Sequence, residues 1–114
     1  MENHDKALEE ALKEALMNSK EGFYPNLDQL QLIDVINVPI KILEIYLQNS
    51  KFGEMLKVLI EGEEGYKGVL RTSSQTIIKQ VKALADKGLI PTSSFLKIVP
   101  VKGNKGTYYI LKVV

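Results

Sequence analysis

At 114 residues the chain is the size of one domain, and its 45% hydrophobic and 25% charged residues describe a folded domain, not a disordered one. The absence of cysteine excludes disulfides, thiolate chemistry and Cys-ligated zinc. A net charge of +1 hides a division, with four lysines against nine acids in residues 1–50 and eleven basic residues against five acids in 51–114.

The basic excess is sharpest in residues 67–114, where Asp86 is the one acid among nine Lys or Arg. That asymmetry points to a polyanionic partner. No apolar run approaches the ~18–20 residues of a membrane-spanning helix. The acidic start also lacks the apolar core of a secretory signal, so a cytoplasmic, intracellular location is expected.

In chain order, "DKALEEALKEALMN" (5–18) predicts a helix with Leu8, Leu12 and Leu16 on one stripe. The stripe is narrow enough to pack on its own domain or to pair with a second copy as a dimer interface. "EGFYPN" breaks it. "NLDQLQLIDVIN" (26–37) predicts a short helix capped by Asn26, with a strand in its second half as the alternative. "NVPIKILEIYLQN" predicts a helix with Ile40, Leu43 and Leu47 inward, and "KFGEMLKVLIEG" (51–62) another, apolar at Phe52, Met55, Leu56, Leu59 and Ile60. "GEEGYKGVLR" (62–71), with three glycines, predicts a loop.

"TSSQTIIKQVKALADKGLI" (72–90) carries the clearest signals. Thr72 and Gln75 stand in capping-box spacing, with Ser73 or Ser74 as alternative caps. Ile77, Ile78, Val81, Leu84 and Ala85 make one buried face, Gly88 is a left-handed stop, and Leu89 and Ile90 return to the core. "FLKIVPV" and "TYYILKVV" around "KGNKG" (102–106) predict a hairpin, with Pro100 at an edge or a bulge. Tyr108 and Tyr109 must face opposite sides of their strand, so only one can be buried.

Helix, helix, loop, helix ending in "ADKGLI", then a hairpin with a basic tip: this order resembles the winged helix-turn-helix superfamily over residues 38–114. Residues 76–90 look like its recognition helix and 95–114 like its wing, with 1–37 an acidic helical extension. The ten-residue loop at 62–71 departs from the superfamily's tight turn. The resemblance implies a mainly α fold with a C-terminal β-hairpin, and a homodimeric, sequence-specific binder of double-stranded DNA. Transcriptional regulation, or replication or partition of a small replicon, is the role that goes with it.

Helix geometry places Gln75, Thr76 and Lys79 opposite the core face, with Gln80 and Lys82 on its flanks, suited to base edges. Arg71 and Ser74 stand at the helix start. Lys102, Asn104 and Lys105 form the wing tip that would meet the phosphate backbone. Two other readings use the same basic surface: an adaptor for an acidic protein, and an RNA or single-strand binder that stacks bases on an exposed tyrosine. Catalysis is not expected, because His4 is the sole histidine and no nucleophile–base set exists. No spaced ligand set suggests a metal, and no cofactor motif is present.

Overall fold

The computed structural model describes residues 7–9, 12 and 22–114. The elements in order are β1 (Asp28–Leu30), a 3-10 turn (Leu32–Asp34), β2 (Ile40–Ser50), β3 (Gly53–Gly62), β4 (Lys67–Thr72), α1 (Gln75–Asp86), β5 (Leu96–Gly103) and β6 (Gly106–Val113). The six strands form one sheet in the order β1-β4-β3-β2-β5-β6, curled into a half-barrel. Every pairing is antiparallel except β1 on β4, where Asp28, Gln29 and Leu30 lie opposite Gly68, Val69 and Leu70.

The concave side is the core. Ile42, Leu56, Val58, Ile60 and Leu70 meet Ile77, Ile78 and Val81 of α1, each all but sealed from solvent. Burying one such side chain contributes roughly 1.5–3 kcal/mol, so this face holds the helix on the sheet. β-Branched residues at alternate positions suit a pleated, half-buried surface. Ser74 caps α1 by accepting from the Ile77 amide at 3.4 Å, while Thr72 Oγ1 accepts from the Ser74 amide at 3.0 Å. At the far end Gly88, at φ +69°, closes the helix as its position predicts. Ile90 returns to the core, whereas Leu89 stays exposed.

This architecture overturns the mainly α expectation and with it the winged helix-turn-helix. The segments 40–50 and 53–62 are strands, and 26–37 holds β1 and the 3-10 turn. Residues 7–9 and 12 are helical, but helix α1 follows strand β4 directly, and residues 22–74 hold strands and a 3-10 turn with no α-helix to form a helix-turn-helix with it. Groove reading by that motif, and the transcriptional role attached to it, lose their structural basis. The misreading has a physical cause in β2. A bulge between Ile42 and Glu44 inserts one residue, so the inward positions Ile40, Ile42, Ile45 and Leu47 lose strict alternation. Ile40, Leu43 and Leu47 then imitate helical spacing, although Leu43 packs on the opposite side of the sheet.

The glycine-rich 62–71 segment is a tight turn and then β4. Gly62 donates to the Tyr66 carbonyl at 2.7 Å, and Gly65 sits at φ +81°. Gly68 permits the close approach of β1, since a Cβ there would lie 3.0 Å from Leu30 Cδ1 and 3.1 Å from the Tyr66 hydroxyl.

Candidate ligand-binding face

The residues expected to read DNA are dispersed by the structure. Ser74 is spent on the cap, and Gln75 Nε2 donates to the Ser73 carbonyl at 3.3 Å. Gln80 is turned to β6, with Nε2 donating to the Leu111 carbonyl at 3.2 Å and Oε1 accepting from the Leu111 amide at 2.7 Å. Lys82 pairs with Glu54 at 2.7 Å, joining the helix to the start of β3. Thr76 is half-buried, which leaves Lys79 as an exposed cation in the middle of the helix. Leu8 and Leu12, expected at a dimer interface, are exposed, and Leu16 lies outside the described residues.

The convex side of the sheet gathers a different set. Leu59 and Val69 face this side and are covered by Phe23, whose ring lies 5.9 Å from that of Tyr46. Strand alternation puts Lys57, two residues before Leu59 on β3, and Arg71, two residues after Val69 on β4, on the same side. The register aligns Tyr46, Lys57 and Arg71 as one row across three strands. Lys57 is only 4% exposed and is partnered. Gln48 Oε1 and Arg71 Nε are buried and have no hydrogen-bond partner.

The same end of the sheet carries the β2–β3 turn. Ser50 and Gly53 pair across it, leaving Lys51 and Phe52 as the two-residue loop. Ser50 Oγ fixes the turn by donating to the Gly53 carbonyl at 3.0 Å and accepting from the Phe52 amide at 3.2 Å. Phe52 is 89% exposed, with the Lys51 ammonium 5.2 Å from its ring centre. A large ring projected from a tight turn contributes little to folding and offers a stacking surface. Beside β4 lies a cavity of about 380 Å³ lined by Gln29, Gln31, Met55, Arg71, Thr72 and Ser73, with Leu30 and Leu32.

At the other end, the β5–β6 hairpin runs past the start of β2, since Leu96 lies opposite Ile40 and the strand continues away from it. Its tip carries Lys102, Asn104 and Lys105, all exposed, as the sequence predicts for a basic turn. Tyr109 packs against the core and Tyr108 is 44% exposed. The Tyr108 ring lies over Gly103, where an added Cβ would come within 3.1 Å of it. Lys97 and Lys112 stand directly opposite each other on one face of the hairpin. Like charges in that relation repel unless an anion lies between them.

Two phenols tie the loops to the strands. Tyr24 donates to the Glu44 carboxylate, and Tyr66 donates to Asp28 Oδ2 at 2.8 Å. Each bond favours the protonated phenol and raises its pKa above the ordinary 10.0. Among the described residues no cluster of His, Cys, Asp or Glu is placed to hold a metal, and no helix is long and apolar enough to cross a membrane.

Sequence reasoning missed Phe52, assigning it to a helix core. The available signal was Ser50 and Gly53 bracketing two residues between β-branched runs, a hairpin pattern. No family model, curated protein or solved structure matches the chain.

Proposed function

We propose that this protein binds single-stranded nucleic acid at the β2–β3 tip and the neighbouring open end of β3 and β4, beyond the part of the convex side that Phe23 covers. The observation that carries the reading is Phe52, a bare ring beside a lysine at the β2–β3 tip, four residue pairs beyond the Tyr46–Lys57–Arg71 row, in which Arg71 is half-buried and Lys57 is covered. Single-strand binders combine a cationic track for the backbone with aromatic rings on which bases stack. Tyr108 with Lys102 and Lys105 supplies the same pairing at the second hairpin tip.

The strand order supports the assignment. Strands β2 to β6 run 3-2-1-4-5 when numbered within themselves, with the helix between the third and fourth. That is the arrangement of the oligonucleotide/oligosaccharide-binding barrel, which takes its ligands on the face of its second and third strands between the first and last hairpin loops. In this chain β1 covers the outer edge of the third barrel strand, where a direct closing pair would otherwise form. Duplex DNA fits the surface less well, because its bases are stacked inside and α1 is committed to β6 and β3.

The deciding experiment is fluorescence anisotropy with a labelled oligonucleotide of roughly 20 bases, single-stranded and as duplex, in about 50 and 200 mM salt. Single strands should bind more tightly, with log K falling against log salt at a slope of about −0.7 for each phosphate contacted. Equal preference for duplex, or no binding at the lower salt, overturns the proposal.

A further inference from the structure

The cavity beside β4 contains a chemical mismatch. Arg71 lines it, and its Nε is buried with no acceptor. A buried donor left without an acceptor is costly, and native interiors hold few of them. Among the described residues the carboxylates do not satisfy this need: the one ion pair joins Lys82 of α1 to Glu54 of β3. The acids next to the cavity wall in sequence are engaged elsewhere: Asp28 accepts from the Tyr66 hydroxyl at 2.8 Å, Glu54 pairs with Lys82, and Asp34 accepts from the Gln31 amide at 2.9 Å.

The polar part of the remaining lining is held in place. Gln29 Nε2 donates to the carbonyls of Tyr24 at 3.2 Å and Leu27 at 3.0 Å, so the strand it sits on is fixed as a wall. Thr72 Oγ1 is used by the Ser74 amide, while the exposed Ser73 keeps its hydroxyl at the mouth. An anion is the complement to a guanidinium in such a place. A planar fork of donors matches the oxygens of a phosphate better than a single carbonyl does. A volume of about 380 Å³ also holds more than one such group.

The geometry points to a phosphate-binding pocket at the end of β4, in which Arg71 takes one phosphate group of a nucleic-acid strand. It deepens the single-strand reading and rests on it for the strand, though not for the phosphate. The group is either an internal phosphodiester or a terminal phosphate, and the two sources separate by experiment. Met55 and Leu32 line the same cavity and offer an apolar wall to the sugar or base that follows.

The test uses the full chain and three probes: inorganic phosphate by calorimetry, and one 20-base single strand with either a 5′-hydroxyl or a 5′-phosphate by anisotropy. Arg71→Ala should weaken oligonucleotide binding about tenfold and lower the salt slope by about 0.7, one phosphate's share. Arg71→Lys should recover the slope and only part of the affinity, because a point charge replaces the fork. A terminal site makes the 5′-phosphorylated strand tighter in wild type and equal to the other in Arg71→Ala; an internal site makes the two equal throughout. Should Arg71→Ala not fold, Arg71→Gln, uncharged and still polar, gives the same comparison.

Oligonucleotide binding that is the same with and without the arginine overturns the pocket while leaving the single-strand reading intact. If wild type binds no oligonucleotide, phosphate alone decides. Arginine-dependent uptake then keeps the pocket and sinks the strand reading, and no uptake overturns both.

Discussion

Gln80 and Leu111 are joined by two hydrogen bonds, in which the side-chain amide of the helix residue does for β6 what a neighbouring strand would do. Nε2 donates to the Leu111 carbonyl and Oε1 accepts from the Leu111 amide. The outer edge of β6 is thereby shielded at its middle, and β1 shields the edge of β4 at the opposite margin of the sheet. Bare strand edges invite pairing with other chains, so a sheet guarded at both margins resists that fate.

Removing the amide leaves both Leu111 backbone groups unpaired in a part-buried setting. Gln80→Ala should therefore destabilise the protein by about 1–3 kcal/mol, read as a fall in the urea midpoint. Binding per folded molecule should be unchanged. A Gln80 that contacted a ligand would give the reverse, with intact stability and weakened binding.

Phe52 predicts the opposite pattern. Its ring is exposed, so Phe52→Ala should alter stability by less than about 0.5 kcal/mol. Loss of one base-stacking partner should weaken single-strand binding by about 1–3 kcal/mol, measured by titration anisotropy. Phe52→Trp should retain it.

Gly68 tests the junction of β1 with β4. A Cβ at this position meets Leu30 and the Tyr66 hydroxyl at 3.0 and 3.1 Å, both tighter than ordinary contact. Gly68→Ala should cost about 1–3 kcal/mol through forced displacement of β1, with hydrogen exchange at residues 28–30 rising first.

The tyrosines predict the alkaline limb of stability. Tyr24 and Tyr66 are raised by their hydrogen bonds to Glu44 and Asp28, so the folded state favours the neutral phenol. Their contribution is complete below the unfolded value near 10 and is lost as pH rises through the higher folded values. Both groups lie at the surface, so the effect is modest. A urea-midpoint series across that range should fall more steeply for wild type than for the Tyr24→Phe, Tyr66→Phe double variant.

Local chemistry was legible where it is strictly local. The buried stripe and glycine stop of α1, and the turn between β5 and β6, are each written within a few residues; the cap falls on Ser74, one of the alternatives, and not on Thr72. β2 was not, because the bulge after Ile42 breaks its period of two and lends it a helical rhythm. β3 was not, because both of its faces are covered: Leu56, Val58 and Ile60 on one side and Leu59 on the other remove the alternation. The cationic bias of the second half was visible, as were the tip lysines. The role of Gln80 was out of reach, since its partner is a backbone 31 residues away, and so was the Tyr46–Lys57–Arg71 row, which only strand register assembles.

The parallel seat of β1 on β4 also sets an order of assembly. β2–β3, β3–β4 and β5–β6 are each joined by a short turn, so they can zip from neighbouring residues with little chain entropy to overcome. β1 has no such partner. Asp28 must wait for Gly68, which takes its place only once three later strands have aligned. β1 therefore docks only after β4 is in place, and contacts this distant in sequence, together with Ile40 opposite Leu96, favour slow folding.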